Sequence, residues 1–210
     1  MKVLGILTIV AAASALSMNA QEVASTQRGD SHSVYVNGGF SHIYSDVKSN
    51  WTSGDPRLGW DWQAGYDWVG HKGFGAGFLY SGYIATGEEQ YLSLHTDESV
   101  MLNYFAPQFV YNWSRPSSRW DFFVKAGLGF IMITEHANLS HNNGGMRATK
   151  GGLGSNITLG TEFKINRHFG ITASLSGVNA YIHQDNSEYD MPDGNGLARV
   201  SLNLGIKYHL

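Results

Sequence analysis

The sequence predicts an all-β protein in which eight antiparallel strands form an up-and-down barrel. Segments of about 11–15 residues alternate between apolar and small or polar side chains, and a period of two indicates a strand with two different faces. The connections between segments are alternately short and long, as expected when consecutive strands form hairpins. The predicted strands span residues 33–44, 58–69, 73–85, 98–112, 120–134, 152–165, 169–181 and 197–209.

The last strand shows the alternation most clearly. Its apolar face consists of Val200, Leu202, Leu204, Ile206, Tyr208 and Leu210. The side chains between them are small or polar, namely Ser201, Asn203, Gly205, Lys207 and His209. Such a strand separates two different environments.

The fourth strand is less regular than the others. Leu102 and Tyr104 fit one face, but Phe105 and Phe109 fit the other. Pro107 has no N–H to donate to a neighbouring strand, so we expect a bulge or a change of register near it.

The connections differ in composition as well as in length. The short ones are residues 70–72, 113–119 and 166–168. The long ones are rich in Gly, Asn, Asp, Ser and Glu, which favour loops, and they are residues 45–57, 86–97, 135–151 and 182–196. We therefore expect short turns at one end of the barrel and long loops at the other.

The N-terminal 20 residues are predicted to be a signal peptide. Lys2 precedes an apolar, Ala-rich run that ends at Leu16, and the residues before Gln21 resemble a cleavage site. The apolar run is shorter than the roughly 20 residues that a membrane-spanning helix needs. The sequence thus divides into a signal peptide at 1–20, a short polar segment at 21–32 and a barrel at 33–210.

The composition excludes several classes of function. The chain has no cysteine, so it has neither disulfides nor thiol chemistry. Its net charge of -3 argues against nucleic acid as a partner, because nucleic-acid binding needs a basic surface. The 26 glycines, with six Trp, 11 Tyr and 10 Phe, are typical of a membrane barrel.

The side-chain types indicate which face points into the barrel. Trp60, Trp62 and Trp68 share one face of the second strand and are too bulky for the interior of a small barrel. The opposite faces carry mainly Gly, Ser, Thr and Asn with isolated charges, whereas a face in water would carry many Lys and Glu. We therefore predict a polar interior, an apolar exterior in lipid and a transmembrane barrel. The alternative is a soluble periplasmic barrel that binds an apolar ligand.

The region from about residue 33 to residue 210 resembles the small eight-stranded bacterial outer-membrane β-barrels, of the OmpX and OmpA-transmembrane-domain kind. The resemblance rests on the strand number, the unequal connections, the aromatic strand ends and the alternating C-terminal strand; Leu210 stands where the family usually has an aromatic residue. It implies short periplasmic turns, long extracellular loops and a location in the bacterial outer membrane. The implied partners are outer-membrane lipid and lipopolysaccharide, and the barrel assembly machinery through the C-terminal strand. A monomer is implied.

Charged residues on the predicted inner face form the candidate site. They are Asp61, Asp67, Lys125, Glu162, Lys164, Arg199 and Lys207. Opposite charges fall on neighbouring strands, which favours a structural network of ion pairs that fills a plugged interior at this strand number. The alternative is a gate or a narrow pore.

Catalysis is not expected. Lipid A deacylase-like barrels combine a Ser nucleophile with a His base, and their His-x-Ser-Asn pattern is missing from this chain. The nearest stretch, residues 183–187, has the wrong spacing, and the adjacent pairs Ser41-His42 and Ser140-His141 have no evident third member. A lipid-modifying enzyme therefore remains an alternative, and we predict no catalytic residue.

No cofactor or metal is predicted. His95, His136, His141 and His183 lie in or beside the long connections, but residues in loops set no fixed ligand geometry. We expect a non-enzymatic barrel that presents its extracellular loops for envelope structure, or for contact with an extracellular ligand or a host surface.

Overall fold

A computed structural model describes residues 30–44, 53–55, 57–91, 94–114, 118–139, 145–182 and 196–210. The described residues form eight strands: β1 Ser31–Ile43, β2 Leu58–Val69, β3 Phe74–Tyr91, β4 Leu94–Ser114, β5 Trp120–Leu139, β6 Gly145–Lys164, β7 Phe169–Ile182 and β8 Gly196–His209. None of these residues belongs to a helix that is long and apolar enough to cross a membrane. The predicted signal peptide and most of the polar segment after it lie outside the described residues.

The eight strands form a closed barrel in chain order, so the predicted fold class is confirmed. Every neighbouring pair is antiparallel, and β1 closes the barrel by pairing with β8, with Val36 opposite Ile206. Closure gives each strand two hydrogen-bonded neighbours and removes the free edges that would be costly in lipid. All eight predicted strands are present, and β2 has the predicted bounds.

Four strands, β3 to β6, are longer than predicted by five or six residues each. The connections expected at residues 86–97 and 135–151 are largely strand; in the first, the β3–β4 ladder continues from Thr86 opposite Ser99 to Tyr91 opposite Leu94. The prediction was wrong because it used loss of apolar alternation to mark strand ends. Alternation ends where the apolar exterior ends, whereas hydrogen bonding between the two strands of a hairpin continues beyond it.

The apolar side chains point outward, as predicted. Val36, Leu128, Leu153 and Leu202 are between 65% and 74% exposed, although they are large hydrophobic residues. The residues between them point inward and are mostly buried. This arrangement is the reverse of a soluble barrel and suits a lipid environment.

β4 keeps one register past Pro107, so the expected bulge or register change was wrong. Phe105 pairs with Phe130 and Gln108 pairs with Gly127, and these pairs belong to the same register. The β4–β5 pairing is interrupted at Ala106 and Pro107, because proline has no N–H to donate. The ladder thus loses two pairs without shifting.

Inward-facing glycines make room for aromatic rings in the interior. A Cβ atom on Gly65 would overlap the Tyr35 ring, and a Cβ atom on Gly160 would overlap the Phe123 ring. These two rings lie against the charged residues of the interior, so the glycines help to shape the candidate site.

The strand order predicts which connections lie outside the cell. An epitope inserted after Asn143, between β5 and β6, should be labelled by antibody on intact cells. The same epitope inserted after Ser117, between β4 and β5, should be labelled after the outer membrane is permeabilised and not before. Labelling of the Ser117 epitope on intact cells would contradict the topology.

Candidate functional site

The first group of interior charges lies near the short-turn end of the barrel. The Lys125 Nζ atom lies 2.7 Å from a carboxylate oxygen of Asp67. The Lys207 Nζ atom lies 3.7 Å from Asp67 and 3.3 Å from Glu162, and His209 contacts the other oxygen of Glu162. Four of the seven predicted residues therefore meet in one cluster, which we call the lower cluster: Asp67, Lys125, Glu162 and Lys207.

Burial makes the lower cluster a strongly coupled set of charges. The side chains of Asp67 and Glu162 are fully buried, and those of Lys125 and Lys207 are 5% and 3% exposed. The Lys125 Nζ atom also lies 3.6 Å from the centre of the Tyr35 ring. A cation over an aromatic face is attracted by its quadrupole, which partly replaces the lost water.

The second group, Asp61 and Arg199, lies closer to the loop end. The Arg199 Nη2 atom lies 3.3 Å from Asp61 and donates to the Ser81 hydroxyl at 2.6 Å. The Gln63 amide joins this pair to β7, because it donates to Asp61 at 3.2 Å and to Ser176 at 2.8 Å. The Arg199 Nε and Nη1 atoms have no hydrogen-bond partner among the described residues.

Lys164 does not join either group. Its Nζ atom lies 2.7 Å from a carboxylate oxygen of Asp121, and its side chain is 30% exposed. Asp121 was missing from the predicted set, although alternation along β5 places it on the same face as Lys125. His209 was missed in the same way, because it shares the inner face of β8 with Lys207. Four buried carboxylates thus face four cations in the described interior.

The half of the interior nearer the loop end is mainly apolar. The sequence predicts a polar interior throughout, and for this half the prediction was wrong. The buried apolar residues of this region, here called the apolar layer, are Ile43, Tyr83, Leu102, Tyr104, Ile131, Ile133, Val178 and Leu197. Leu102, Tyr83 and Tyr104 are completely buried. These side chains pack against one another in one cluster, as in the core of a soluble protein.

The serine and histidine pairs considered for catalysis are not assembled into a site in the described residues. The Ser41 hydroxyl lies inside the barrel, 2.6 Å from the Ser201 hydroxyl, whereas His42 follows it on the outer face and packs against Tyr44. Residues 183–187 and the Ser140-His141 pair lie outside the described residues.

The described part of the chain contains no group of three or more His, Asp or Glu side chains that could hold a metal ion. His136 lies on β5 opposite Arg147, and His141 and His183 lie outside the described ranges.

Solved structures of bacterial outer-membrane barrels are similar to this chain. Neisserial surface protein A has a TM-score of 0.58 at 13% identity, over 86% of this chain and 99% of that chain. A major outer membrane protein from Thermus thermophilus has a TM-score of 0.54 at 11% identity, over 87% and 100%. Ail, the attachment invasion locus protein of Yersinia pestis, in complex with the heparin analogue sucrose octasulfate, has a TM-score of 0.51 at 15% identity, over 87% and 100%. These similarities show a shared fold.

The family follows from a match over nearly the whole sequence. No curated protein sequence matches this chain. A family model described as the outer membrane protein beta-barrel domain matches residues 8–209. Together with the closed eight-stranded barrel and its apolar exterior, this match shows that the chain belongs to the outer membrane protein beta-barrel family and lies in the bacterial outer membrane.

Proposed function

We propose that the protein is a non-enzymatic, plugged barrel that holds its extracellular loops at the cell surface, for envelope structure or for contact with another surface. The apolar layer carries this proposal. Leu102, Tyr104 and Ile131 fill the interior beneath the loops with side chains that are at most 1% exposed. A hydrophobic constriction of this kind stops ions because it does not hold water.

We also propose how the protein is exported and assembled into the membrane. Residues 1–20 act as a signal peptide that is removed on export, residues 21–32 form a polar lead-in, and residues 33–210 form the barrel. The apolar face of β8, which includes Leu204 and Ile206, is the feature that the barrel assembly machinery recognises. The protein is a monomer, and its exterior contacts lipid and lipopolysaccharide.

A raised sheet supports a role in surface contact. Pairing of β2 with β3 ends at Ile84, whereas β3 and β4 remain paired as far as Tyr91. Pairing of β6 with β7 begins at Gly152, whereas β5 and β6 are already paired at Gly145. The four strands β3 to β6 therefore continue past their neighbours and extend the loop end of the barrel on one side. This extension is the raised sheet.

The charge of the loop end indicates which surface it would contact. Acidic residues predominate in its connections and strand extensions: Asp46, Asp55, Glu88, Glu89, Asp97, Glu98, Glu135, Asp185, Glu188, Asp190 and Asp193, against Lys48, Arg57, Arg147 and Lys150. Such a surface attracts cationic partners and repels polyanions. The expected partners are therefore cationic, whereas the heparin analogue in the Ail structure is a polyanion.

Retention of cells on coated surfaces tests this proposal. Cells that display the protein should be retained on polylysine and not on heparin. Neutralising Glu88, Asp97 and Glu98 together should reduce retention on polylysine, because these acids belong to the raised sheet. Neutralising Asp30, which is exposed beside Gly70 at the short-turn end, is the control that leaves the charge of the loop end unchanged. Equal retention on heparin would contradict the proposal.

A narrow pore is the second candidate, because the lower cluster places charges in the interior. Conductance in planar bilayers separates the two candidates. The wild-type protein should give no steady current steps, and a variant with Leu102→Gly and Ile131→Gly should give measurable leakage because the apolar layer is opened. Leu128→Gly on the lipid face is the matched control and should remain silent. Large cation-selective steps from the wild type would favour the pore.

A further inference from the structure

An apolar groove lies on the outer surface, at the short-turn end, where β7 and β8 meet the turn between β6 and β7. Its volume is about 690 Å³, and its lining residues are Ile165, Asn166, Phe169, Ile171, Leu204, Gly205 and Ile206. Phe169, Ile171 and Ile206 are 45%, 49% and 59% exposed. The groove is therefore open to the membrane and lies apart from the charged interior.

The turn that ends the groove is held in place by several hydrogen bonds. The Asn166 side-chain oxygen accepts from the backbone N–H groups of His168 and Phe169, at 2.8 Å each. The His209 backbone N–H donates to the His168 carbonyl at 2.7 Å, which ties the turn to β8. The groove thus has a defined end rather than a variable loop.

Cations surround this end of the barrel. Arg167 is exposed at the tip of the turn, between the groove-lining residues Asn166 and Phe169. Lys72 and Arg119 are exposed on the other two short turns. The carboxylates of Asp121 and Glu162, also near this end, are fully buried inside the barrel. The exposed Asp30 lies beside Gly70, at the turn between β2 and β3, and not at the turn that carries Arg167.

We propose that this groove binds one anionic phospholipid of the inner leaflet. Its acyl chain lies along the outer side chains of Ile171 and Ile206, which are partners across β7 and β8, and its phosphate lies beside the turn, where Arg167 supplies the charge. A phospholipid of the bilayer fits this groove because the groove is apolar along the strands and cationic at the end that lies at the level of the periplasmic headgroups. Tyr208 and Phe169, with ring centres 5.0 Å apart, lie at the same level and anchor it at the interface.

Native mass spectrometry of the complete folded barrel tests the proposal, with phosphatidylglycerol and phosphatidylcholine as probes. The wild type should retain one phosphatidylglycerol in preference to phosphatidylcholine. Arg167→Gln should weaken retention about fivefold, because one cation near an anionic headgroup contributes roughly 1 kcal/mol. Lys72→Gln removes a cation from another turn and should leave retention unchanged. Heat-modifiable gel mobility checks that each variant is folded.

A second variant tests the groove itself. Ile171→Trp fills the groove without changing the charge and should also reduce phosphatidylglycerol retention, whereas Phe78→Trp on the distant β3 should not. Equal losses for Arg167→Gln and Lys72→Gln would show general charge attraction and overturn the proposal. Equal retention of the two lipids by the wild type, or a stable dimer through this face, would overturn it as well.

Discussion

Replacing Asp67 with Asn is expected to destabilise the folded barrel by about 3–5 kcal/mol, because it removes one partner of a buried ion pair. Lys125 lies 2.7 Å from this carboxylate, and Lys207 lies 3.7 Å from it. After the substitution, the buried ammonium group of Lys125 loses its carboxylate partner, and Lys207 keeps only Glu162, at 3.3 Å. The free energy of unfolding, measured by urea titration in lipid vesicles with tryptophan fluorescence, should fall by this amount.

Asp55→Asn is the matched control. Asp55 also lies 3.0 Å from a cation, Arg57, but the two side chains are 40% and 51% exposed. The Arg57 hydrogen bonds lower the pKa of Asp55, yet solvent screens an exposed pair of this kind. The control should change stability by about 0–1 kcal/mol.

A double variant identifies the cause of the loss at Asp67. Adding Lys125→Met to Asp67→Asn removes the unpaired ammonium group and should recover part of the lost stability. If Asp67→Asn is as stable as the wild type, the lower cluster does not support the barrel, and the plugged-interior proposal loses its charged component.

Replacing Leu204 with Arg is expected to oppose membrane insertion by about 2–4 kcal/mol, the cost of an arginine facing lipid near the bilayer midplane. Leu204 lies on the outer face of β8, five positions before His209 at the end of the strand, and is 64% exposed. The folding free energy in vesicles should fall, and Leu202→Arg should behave similarly because Leu202 is 65% exposed on the same face.

A residue at a different depth in the bilayer provides the control for Leu204→Arg. Leu58 is 57% exposed at the loop end of β2, where the cost of an arginine falls to about 0–1 kcal/mol. Asn203→Arg places the charge inside the barrel, so its effect should not depend on how deep the residue lies in the bilayer. Spin labels that report lipid at residue 203 and water at residue 204 would invert the assignment of the two faces.

The sequence by itself determined the number of strands and their faces, but not the loop-side ends of β3 to β6. Alternation is a local property, since successive side chains of a strand point to opposite sides. It therefore separated outward Leu204 from inward Asn203, and it placed Lys125 and Asp67 on inner faces before any contact was known. It also predicted an even number of strands and the short turns, which depend on neighbouring residues alone.

The tertiary structure decided which inward side chains meet. Lys125 on β5 pairs with Asp67 on β2 across the interior, although two strands lie between them, and Lys207 reaches Glu162 past β7. Strand tilt and register set these heights, and both follow from closing the whole barrel. The apolar layer has the same origin, because it is built from distant segments that acquire a common level when β1 pairs with β8. The groove at Ile171 follows instead from the register of the neighbouring strands β7 and β8.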